Sequence, residues 1–128
     1  MLGSSDLMAF VPVSDLGRAR SFYSDTLGLR VVEESPYALS VDVNGRMLRL
    51  TMVAELRPQP FTIAGWHVQD ITASIEALGR AGVRFTRYDG MEQDERGIWT
   101  TPGGDQVAWF ADPDGNTLSL TQFAEASA

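Results

Sequence analysis

The sequence contains few side chains of the types that carry out acid–base, nucleophilic or metal chemistry. It has one histidine, His67, and no cysteine. The lack of cysteine excludes disulfides, thiolate metal sites and thiol nucleophiles. A single histidine also excludes a metal site built from several histidines of one chain. The remaining candidates are His67, because imidazole exchanges protons near neutral pH, and arginines that could bind an oxyanion.

Size and composition indicate the general class of protein. The chain has 128 residues, of which 44% are hydrophobic and 21% charged. These values predict a single globular domain with enough apolar residues for a core. The sequence contains no apolar run long enough to cross a membrane and no secretory signal at its start, so we expect no membrane association and a cytoplasmic location.

The net charge narrows the choice of partner. It is −7 at neutral pH. Nucleic-acid binding needs clustered lysine and arginine to neutralise phosphates, so no nucleic-acid partner is expected. The acidic balance is compatible with a cationic ligand, although many globular domains are mildly acidic for solubility alone.

The hydrophobic pattern of the first half predicts a strand, a helix and three further strands. Asp15 is expected to cap the helix at its start, and Gly28 to end it. Asn44-Gly45 is typical of a tight turn between two strands. The predicted strands are 8–13, 29–32, 38–43 and 47–53, and the predicted helix is 16–27.

The second half repeats this order. Val13 and Asp15 correspond to Val68 and Asp70 at a constant offset of 55 residues. Asp70 is the expected cap of the second helix, and Gly82 its end. The predicted strands are 63–68, 83–86, 106–111 and 117–123, the helix is 71–81, and a polar loop runs over 88–97.

A repeat of this length predicts a duplicated βαβββ unit, which belongs to the α+β class. We expect one domain over 1–128, made of modules 7–54 and 62–123. The segment 55–61 contains two prolines and is predicted to link the modules.

Three motifs resemble the vicinal-oxygen-chelate superfamily, the family of glyoxalases, bleomycin resistance proteins and dioxygenases. They are V-S-D-L at 13–16 with L-G-L at 27–29, V-Q-D-I at 68–71, and D-P-D-G-N at 112–116 before a strand. The similarity covers about 7–123. It implies tandem βαβββ modules with curled mixed sheets that enclose a cavity, and it implies a homodimer.

The resemblance also places four metal-ligand positions on strands that face the cavity. In this sequence they fall on Met8, Arg49, Ile63 and Ser119. None of these is a usual ligand of a divalent ion. Arg49 would oppose a cation, with a Coulomb repulsion on the order of 4 kcal/mol at 4 Å and an effective dielectric of 20. We therefore expect no metal and no other cofactor.

Strand alternation sends every second side chain to one face of a sheet, and this predicts which residues line the cavity. The set is mostly apolar with a few polar groups, as in sites for small organic molecules. The predicted ligand-binding residues are Met8, Phe10, Met47, Arg49, Thr51, Ile63, His67, Trp99, Trp109, Ser119 and Thr121.

Three features of this set, and the polar loop 88–97, have two interpretations each. Arg49 could bind a carboxylate or phosphate of a ligand, or pair with a carboxylate of a neighbouring strand or of a dimer partner. His67 could be a catalytic general base, or a half-buried histidine bonded to backbone or water. Trp99 and Trp109 could stack on a planar or cationic ligand or pack in the core, whereas Trp66 is expected in the core. The loop 88–97 could be a lid or a solvated charged loop.

Three functions follow from these alternatives. The first is a metal-free protein that binds a small molecule for sequestration, resistance or sensing. The second is a metal-independent enzyme in which His67 and Arg49 handle proton transfer and an oxyanion. The third is a metal-dependent lyase, isomerase or dioxygenase, which would need ligands that this sequence does not supply in the expected places.

Overall fold

The computed structural model describes residues 1–125, which form two compact units divided between Pro58 and Gln59. The division falls within the predicted linker 55–61. The strands are β1 (Met8–Val13), β2 (Arg30–Glu34), β3 (Ala38–Val43), β4 (Arg46–Met52), β5 (Thr62–His67), β6 (Trp99–Thr100), β7 (Gln106–Ala111) and β8 (Thr117–Gln122). The helices are α1 (Leu16–Arg20), which continues as a π-helical turn over Ser21–Thr26, and α2 (Ile71–Arg80), with a short 3-10 turn at Leu2–Ser4.

The first unit contains a four-stranded mixed sheet in the order β1-β4-β3-β2. Strand β1 runs parallel to β4, and the other neighbours are antiparallel. Strand β1 lies at the edge of this sheet. Proline has no backbone N–H to donate, and an edge strand tolerates this because one row of its N–H groups faces no neighbouring strand, so Pro12 fits within β1.

Helix α1 begins where the sequence predicts. The side chain of Asp15 accepts a hydrogen bond from the backbone N–H of Arg18 at 2.9 Å, which satisfies one of the free donors of the first turn. The chain leaves the helix at Gly28, whose φ is +78°. A left-handed conformation at this position favours glycine and confirms the predicted end of the helix.

The helix covers one face of the first sheet. Tyr23 and Ala19 are buried there together with alternate strand residues, namely Val11, Val13, Leu39, Val41, Leu48 and Leu50. The turn between β3 and β4 has Asn44 at φ 48° and Gly45 at φ +85°, as the two-residue turn predicted there requires.

The second unit repeats the topology of the first. Its sheet has the order β5-β8-β7-β6, with β5 parallel to β8. Asp70 caps α2 by accepting from the N–H of Ala73 at 3.0 Å. The side chain of Gln122 accepts from the N–H of Ile71 at 2.8 Å, so the helix start is bonded to the last strand as well. The prediction of two βαβββ modules of the α+β class is confirmed.

One predicted strand of the second unit is wrong. The segment 83–86 forms only an isolated bridge, between Phe85 and Phe110. The place that β2 occupies in the first sheet is taken in the second by the short strand β6, which pairs with β7. The aromatic ring of Phe85 packs on that of Phe110 at 5.4 Å between centroids, so this apolar segment serves the core without extending the sheet.

The core of the second unit lies between α2 and its sheet. Ile71 and Ile75 of the helix are buried with Ala108, Phe110, Leu118 and Leu120 of the strands. Trp66 is half-buried, and its ring stacks on the core residue Phe110 with a centroid distance of 6.3 Å. Within residues 1–125, no helix has the length and apolar character needed to cross a membrane.

Candidate functional site

Each sheet has a second face, opposite its helix, which we call the open face. In the first unit the register sets Met8 opposite Met47 and Phe10 opposite Arg49. These side chains alternate with the buried ones, and Phe10 is 59% exposed. Thr51 follows on the same face of β4, opposite Pro12. The predicted residues of the first half therefore share one face of one sheet.

Arg49 lies at the centre of this open face, between Phe10 on β1 and Ser40 on β3. Its Nε donates a hydrogen bond of 3.4 Å to Oγ of Ser40, which is buried. Among residues 1–125, no carboxylate lies within 4.0 Å of its guanidinium. The remaining N–H groups are therefore available to an oxyanion or to a carboxylate of another chain.

The open face of the second unit carries the other predicted residues. Ser119 on β8 lies between Gly65 on β5 and Trp109 on β7. Two residues further along β8, Thr121 is opposite His67. Ser119 is only 7% exposed, so it contributes little surface to a ligand.

The register of β5 shifts at its start. Thr62 is opposite Thr117, but Ala64 is opposite Leu118, so Ile63 is an extra residue in a bulge. Simple alternation places Ile63 on the open face with Gly65 and His67. The bulge breaks that alternation, and Thr62 takes the position opposite Thr117.

His67 is exposed at the end of β5. Its ring lies 4.8 Å from that of Phe123, centroid to centroid. Among the described residues, no carboxylate forms an ion pair with its imidazole and no side chain hydrogen bonds to it. A general base is usually oriented by such a partner, so the residue lacks the support typical of a catalytic histidine.

A pocket of about 650 Å³ lies on the second unit. Its volume is within the range of sites for drug-sized molecules. Trp99 and Trp109 form part of its lining together with Thr117. The other walls are the segment before and at the start of β5, residues 60–62, and the loop residues 88–92. We call this the aromatic pocket.

The rings of the aromatic pocket are fixed against one another. Trp99 and Trp109 are roughly parallel, with centroids 6.3 Å apart and planes at 29°. Tyr88 meets Trp109 edge-on at 5.5 Å and 87°. The indole Nε1 of Trp109 donates to Oγ1 of Thr62 at 3.1 Å, which ties the ring to β5. This arrangement offers a planar ligand a preformed aromatic surface.

The loop wall of the pocket is held by Gln93. Its Nε2 donates to the carbonyls of Thr86 at 3.0 Å and Gly97 at 2.9 Å, and its Oε1 accepts from the N–H of Tyr88 at 2.7 Å. Arg87 adds two bonds, to the carbonyls of Gln93 and Asp94. These bonds hold the loop in place, while most of its residues are exposed, as in the solvated charged loop considered from sequence.

Sequence reasoning found part of the aromatic pocket. Trp99 and Trp109 line it, whereas His67, Ser119 and Thr121 share the sheet face without lining it. Thr117 also lines it, and strand alternation sets it on the face of Ser119, although the predicted set does not include it. The other residues missed are Pro60, Phe61, Thr62 and residues 88–92. Thr62 could be found only by knowing of the bulge at its neighbour. The others belong to loops, in which strand alternation gives no signal.

The four positions that the resemblance assigns to metal ligands do not fit a divalent ion. They carry a thioether, a guanidinium, an alkyl group and a hydroxyl, on Met8, Arg49, Ile63 and Ser119. The guanidinium stays charged and repels a cation. Within residues 1–125, no three side chains of His, Cys, Asp or Glu cluster in a way that could hold a metal.

Solved structures with the same fold are numerous. A superfamily member from Sphaerobacter thermophilus DSM 20745 has 24% identity and a TM-score of 0.73, and the match covers 96% of this chain and 100% of that one. A glyoxalase/bleomycin resistance protein/dioxygenase from Alicyclobacillus acidocaldarius has 17% identity and a TM-score of 0.71, with coverage of 95% and 93%. A lactoylglutathione lyase from Agrobacterium tumefaciens has 16% identity and a TM-score of 0.64, with coverage of 93% of each chain.

These identities are too low to carry more than the fold. Comparison with curated proteins found no match. The sequence itself matches the family model described as the Glyoxalase/Bleomycin resistance protein/Dioxygenase superfamily over residues 7–120, nearly the whole chain. The repeated sheets, their capped helices and this match agree, and the chain belongs to the Glyoxalase/Bleomycin resistance protein/Dioxygenase superfamily.

Proposed function

We propose that this protein binds a small organic molecule without the help of a metal ion, as a sequestering, resistance or sensing protein does. The observation that carries the proposal is the aromatic pocket, which presents the rings of Trp99, Trp109 and Tyr88 in fixed positions. A pocket of this size with ring walls and a few polar groups is typical of sites for organic ligands.

The open face of the first unit supports the same function. Phe10 and the two methionines beside Arg49 supply apolar surface around one fixed positive charge. Such a face favours an organic molecule with an anionic group, because guanidinium binds carboxylate or phosphate through two parallel hydrogen bonds. It opposes a metal cation by charge and by the lack of suitable donor atoms.

The test is a thermal-shift screen of metabolites and antibiotics, followed by NMR on the compounds that bind. A compound that binds only the native state raises the melting temperature. We expect binders to shift the indole N–H signals of Trp99 and Trp109 and to leave that of Trp66 in place. Trp66 stacks on Phe110 and does not line the pocket, so it is the internal control. A binder that shifts none of the pocket signals would contradict the proposed site.

Metal analysis tests the other half of the proposal. Protein purified without chelator is expected to contain well under one equivalent of Zn, Ni, Mn or Fe per chain. One equivalent, retained through gel filtration, would contradict the metal-free function and would favour a lyase, isomerase or dioxygenase. Loss of that metal on mutation of Ser119 would place it at the family position.

An enzyme that acts through His67 is the second candidate. The observation in its favour is the exposed imidazole on the same open face as Thr121. In that case His67→Ala abolishes turnover of a bound compound and leaves its affinity unchanged. Equal affinity and no turnover in either protein would leave binding as the function.

We further propose that the chain functions as a homodimer, as the family resemblance implies, and that it binds neither nucleic acid nor membrane. Light scattering over a range of concentrations tests the assembly. A species of 14.0 kDa at every concentration would contradict the dimer. It would leave the pocket intact, because the aromatic pocket lies within one unit of one chain.

A further inference from the structure

The charged groups that line the aromatic pocket are all of one sign. Asp89 and Glu92 belong to its loop wall, and the described lining contains no arginine. Both carboxylates are exposed, and among residues 1–125 neither has an ion-pair partner within 4.0 Å. The pocket thus combines ring faces with two carboxylates that form no ion pair within the described chain.

The two arginines close to these carboxylates in the sequence, Arg87 and Arg96, bond to other groups. Arg87 donates to backbone carbonyls of the loop, at 2.7 Å and 3.2 Å. Arg96 pairs with Glu76 on α2 at 3.1 Å and with Glu95 at 3.4 Å. Neither guanidinium pairs with Asp89 or Glu92, so both carboxylates remain available to a cationic ligand.

Most of the net charge of the chain belongs to the unit that contains this pocket. Residues 59–128 contain ten Asp and Glu and four Arg, a net charge of −6 out of the total of −7. Summed charge of one sign attracts ligands of the other sign and raises their local concentration. The second unit therefore favours a cation, in contrast with the first, where Arg49 stands on the open face.

The rings add a short-range preference of the same sign. The face of an indole or phenol ring carries the negative part of its quadrupole, and tryptophan attracts a cation most strongly. Trp99 and Trp109 lie near enough to parallel that one planar group could contact both. Asp89 and Glu92 line the same pocket, so a cationic centre attached to such a group would share the cavity with their carboxylates.

From this combination we propose that the aromatic pocket selects a small organic cation, a protonated or quaternary amine attached to a planar group. The proposal rests on the proposed binding function and names its ligand class. It predicts that a neutral or anionic molecule of the same shape binds less tightly than the cation. It also predicts that the preference depends on salt, because exposed carboxylates are screened within about 8 Å at physiological ionic strength.

Three matched probes test the selection. They are (1-naphthylmethyl)trimethylammonium, 1-naphthalenemethanol and 1-naphthylacetate, which share a ring and differ in charge. Isothermal titration calorimetry of the full chain gives the three affinities, and NMR of the tryptophan indoles gives the location. We expect the cation to bind about three- to thirtyfold more tightly than the alcohol, and the anion most weakly. Added NaCl should weaken binding of the cation alone.

Charge-neutralising variants identify the groups responsible. In Asp89→Asn with Glu92→Gln the preference for the cation over the alcohol should fall at least threefold, while affinity for the alcohol stays the same. Glu95→Gln with Glu125→Gln is the matched control, because it removes two exposed carboxylates of the second unit that do not line the pocket. An equal fall in the control would show that the preference for the cation depends on the net charge of the chain and not on Asp89 and Glu92. That result would overturn the proposal.

The outcomes separate this proposal from the binding function. If alcohol and cation bind equally and both shift the indoles of Trp99 and Trp109, the pocket binds organic molecules without selecting charge, and only the cation proposal fails. If the anion binds most tightly, it fails in the same way. If none of the probes shifts those indoles at millimolar concentration, the aromatic pocket is not a binding site and both proposals fail.

Discussion

A β-carbon placed on Gly65 would lie 2.5 Å from Oγ of Ser119 and 3.2 Å from the carbonyl oxygen of the same residue. The two residues are opposite each other on β5 and β8. Ser119 occupies the fourth metal-ligand position of the family resemblance, and here its hydroxyl fills the space left by the missing side chain of the glycine. Gly65 and Ser119 therefore pack against each other at the position from which a metal ligand would extend.

Gly65→Ala should therefore destabilise the protein by about 1–3 kcal/mol, because the extra methyl overpacks a tight contact. Urea unfolding measures the change. Adding Ser119→Ala removes the closest atom and should restore part of the loss, with a coupling energy on the order of 0.5–3 kcal/mol. Strictly additive effects would mean that the two side chains do not compete for space.

Gly79→Ala is expected to have the opposite sign. Gly79 lies near the end of α2, and a β-carbon there would meet nothing within 4 Å. Alanine restricts the unfolded chain and suits the helix, so the free energy of unfolding should rise by about 0.5–1 kcal/mol. The same urea experiment checks it. A loss of stability would show an unfavourable contact that this geometry does not contain.

The two helix caps give a third prediction. Asp70→Ala removes the acceptor for the N–H of Ala73 and should cost about 0.5–2 kcal/mol. Asp15→Ala should cost a similar amount, because its contact with Arg18 repeats the same geometry. Replacement of Asp70 by Ser keeps an acceptor and should retain most of the stability. Equal losses for Ser and Ala would assign the effect to charge instead of hydrogen bonding.

The features that sequence could predict are those set by local chemistry. The caps at Asp15 and Asp70 and the turn at Asn44-Gly45 each depend on one or two residue types with a definite backbone preference. The repetition of the cap 55 residues apart predicted the order strand, helix and three strands in each half, and the family resemblance implied the mixed sheets.

The features that sequence missed depend on contacts between distant residues. The segment 83–86 has the alternating pattern of a strand, but its Phe85 packs against Phe110 in the core and the segment forms no strand. The bulge at Ile63 shifts the register by one residue, and a period of two cannot reveal such a shift. The loop wall depends on the amide of Gln93, whose three partners cannot be inferred from composition.

Gln93→Leu gives the fourth prediction. It removes the bonds to the carbonyls of Thr86 and Gly97 and to the N–H of Tyr88, so the free energy of unfolding should fall by about 1–3 kcal/mol. The ring protons of Tyr88 should lose the shift caused by Trp109 in the NMR spectrum. Unchanged ring shifts would mean that Gln93 does not position Tyr88.

Gln106→Leu is the control for that experiment. Its side-chain amide has no hydrogen-bond partner among residues 1–125, and it lies in strand β7 outside the pocket lining. It should leave both the stability and the shift of Tyr88 nearly unchanged. A comparable loss in the control would assign the effect to any exchange of an amide for an alkyl group.

Arg49→Gln separates the two interpretations of the guanidinium. Within residues 1–125 it has no carboxylate partner, so its replacement strands no buried charge, and the free energy of unfolding should change by less than about 1 kcal/mol. Urea unfolding at two protein concentrations measures this. A loss of stability that is larger at the higher concentration, where the wild type is dimeric, would assign Arg49 to an ion pair across a dimer interface. An unchanged concentration dependence, together with weaker binding of carboxylate ligands, would assign it to ligand recognition.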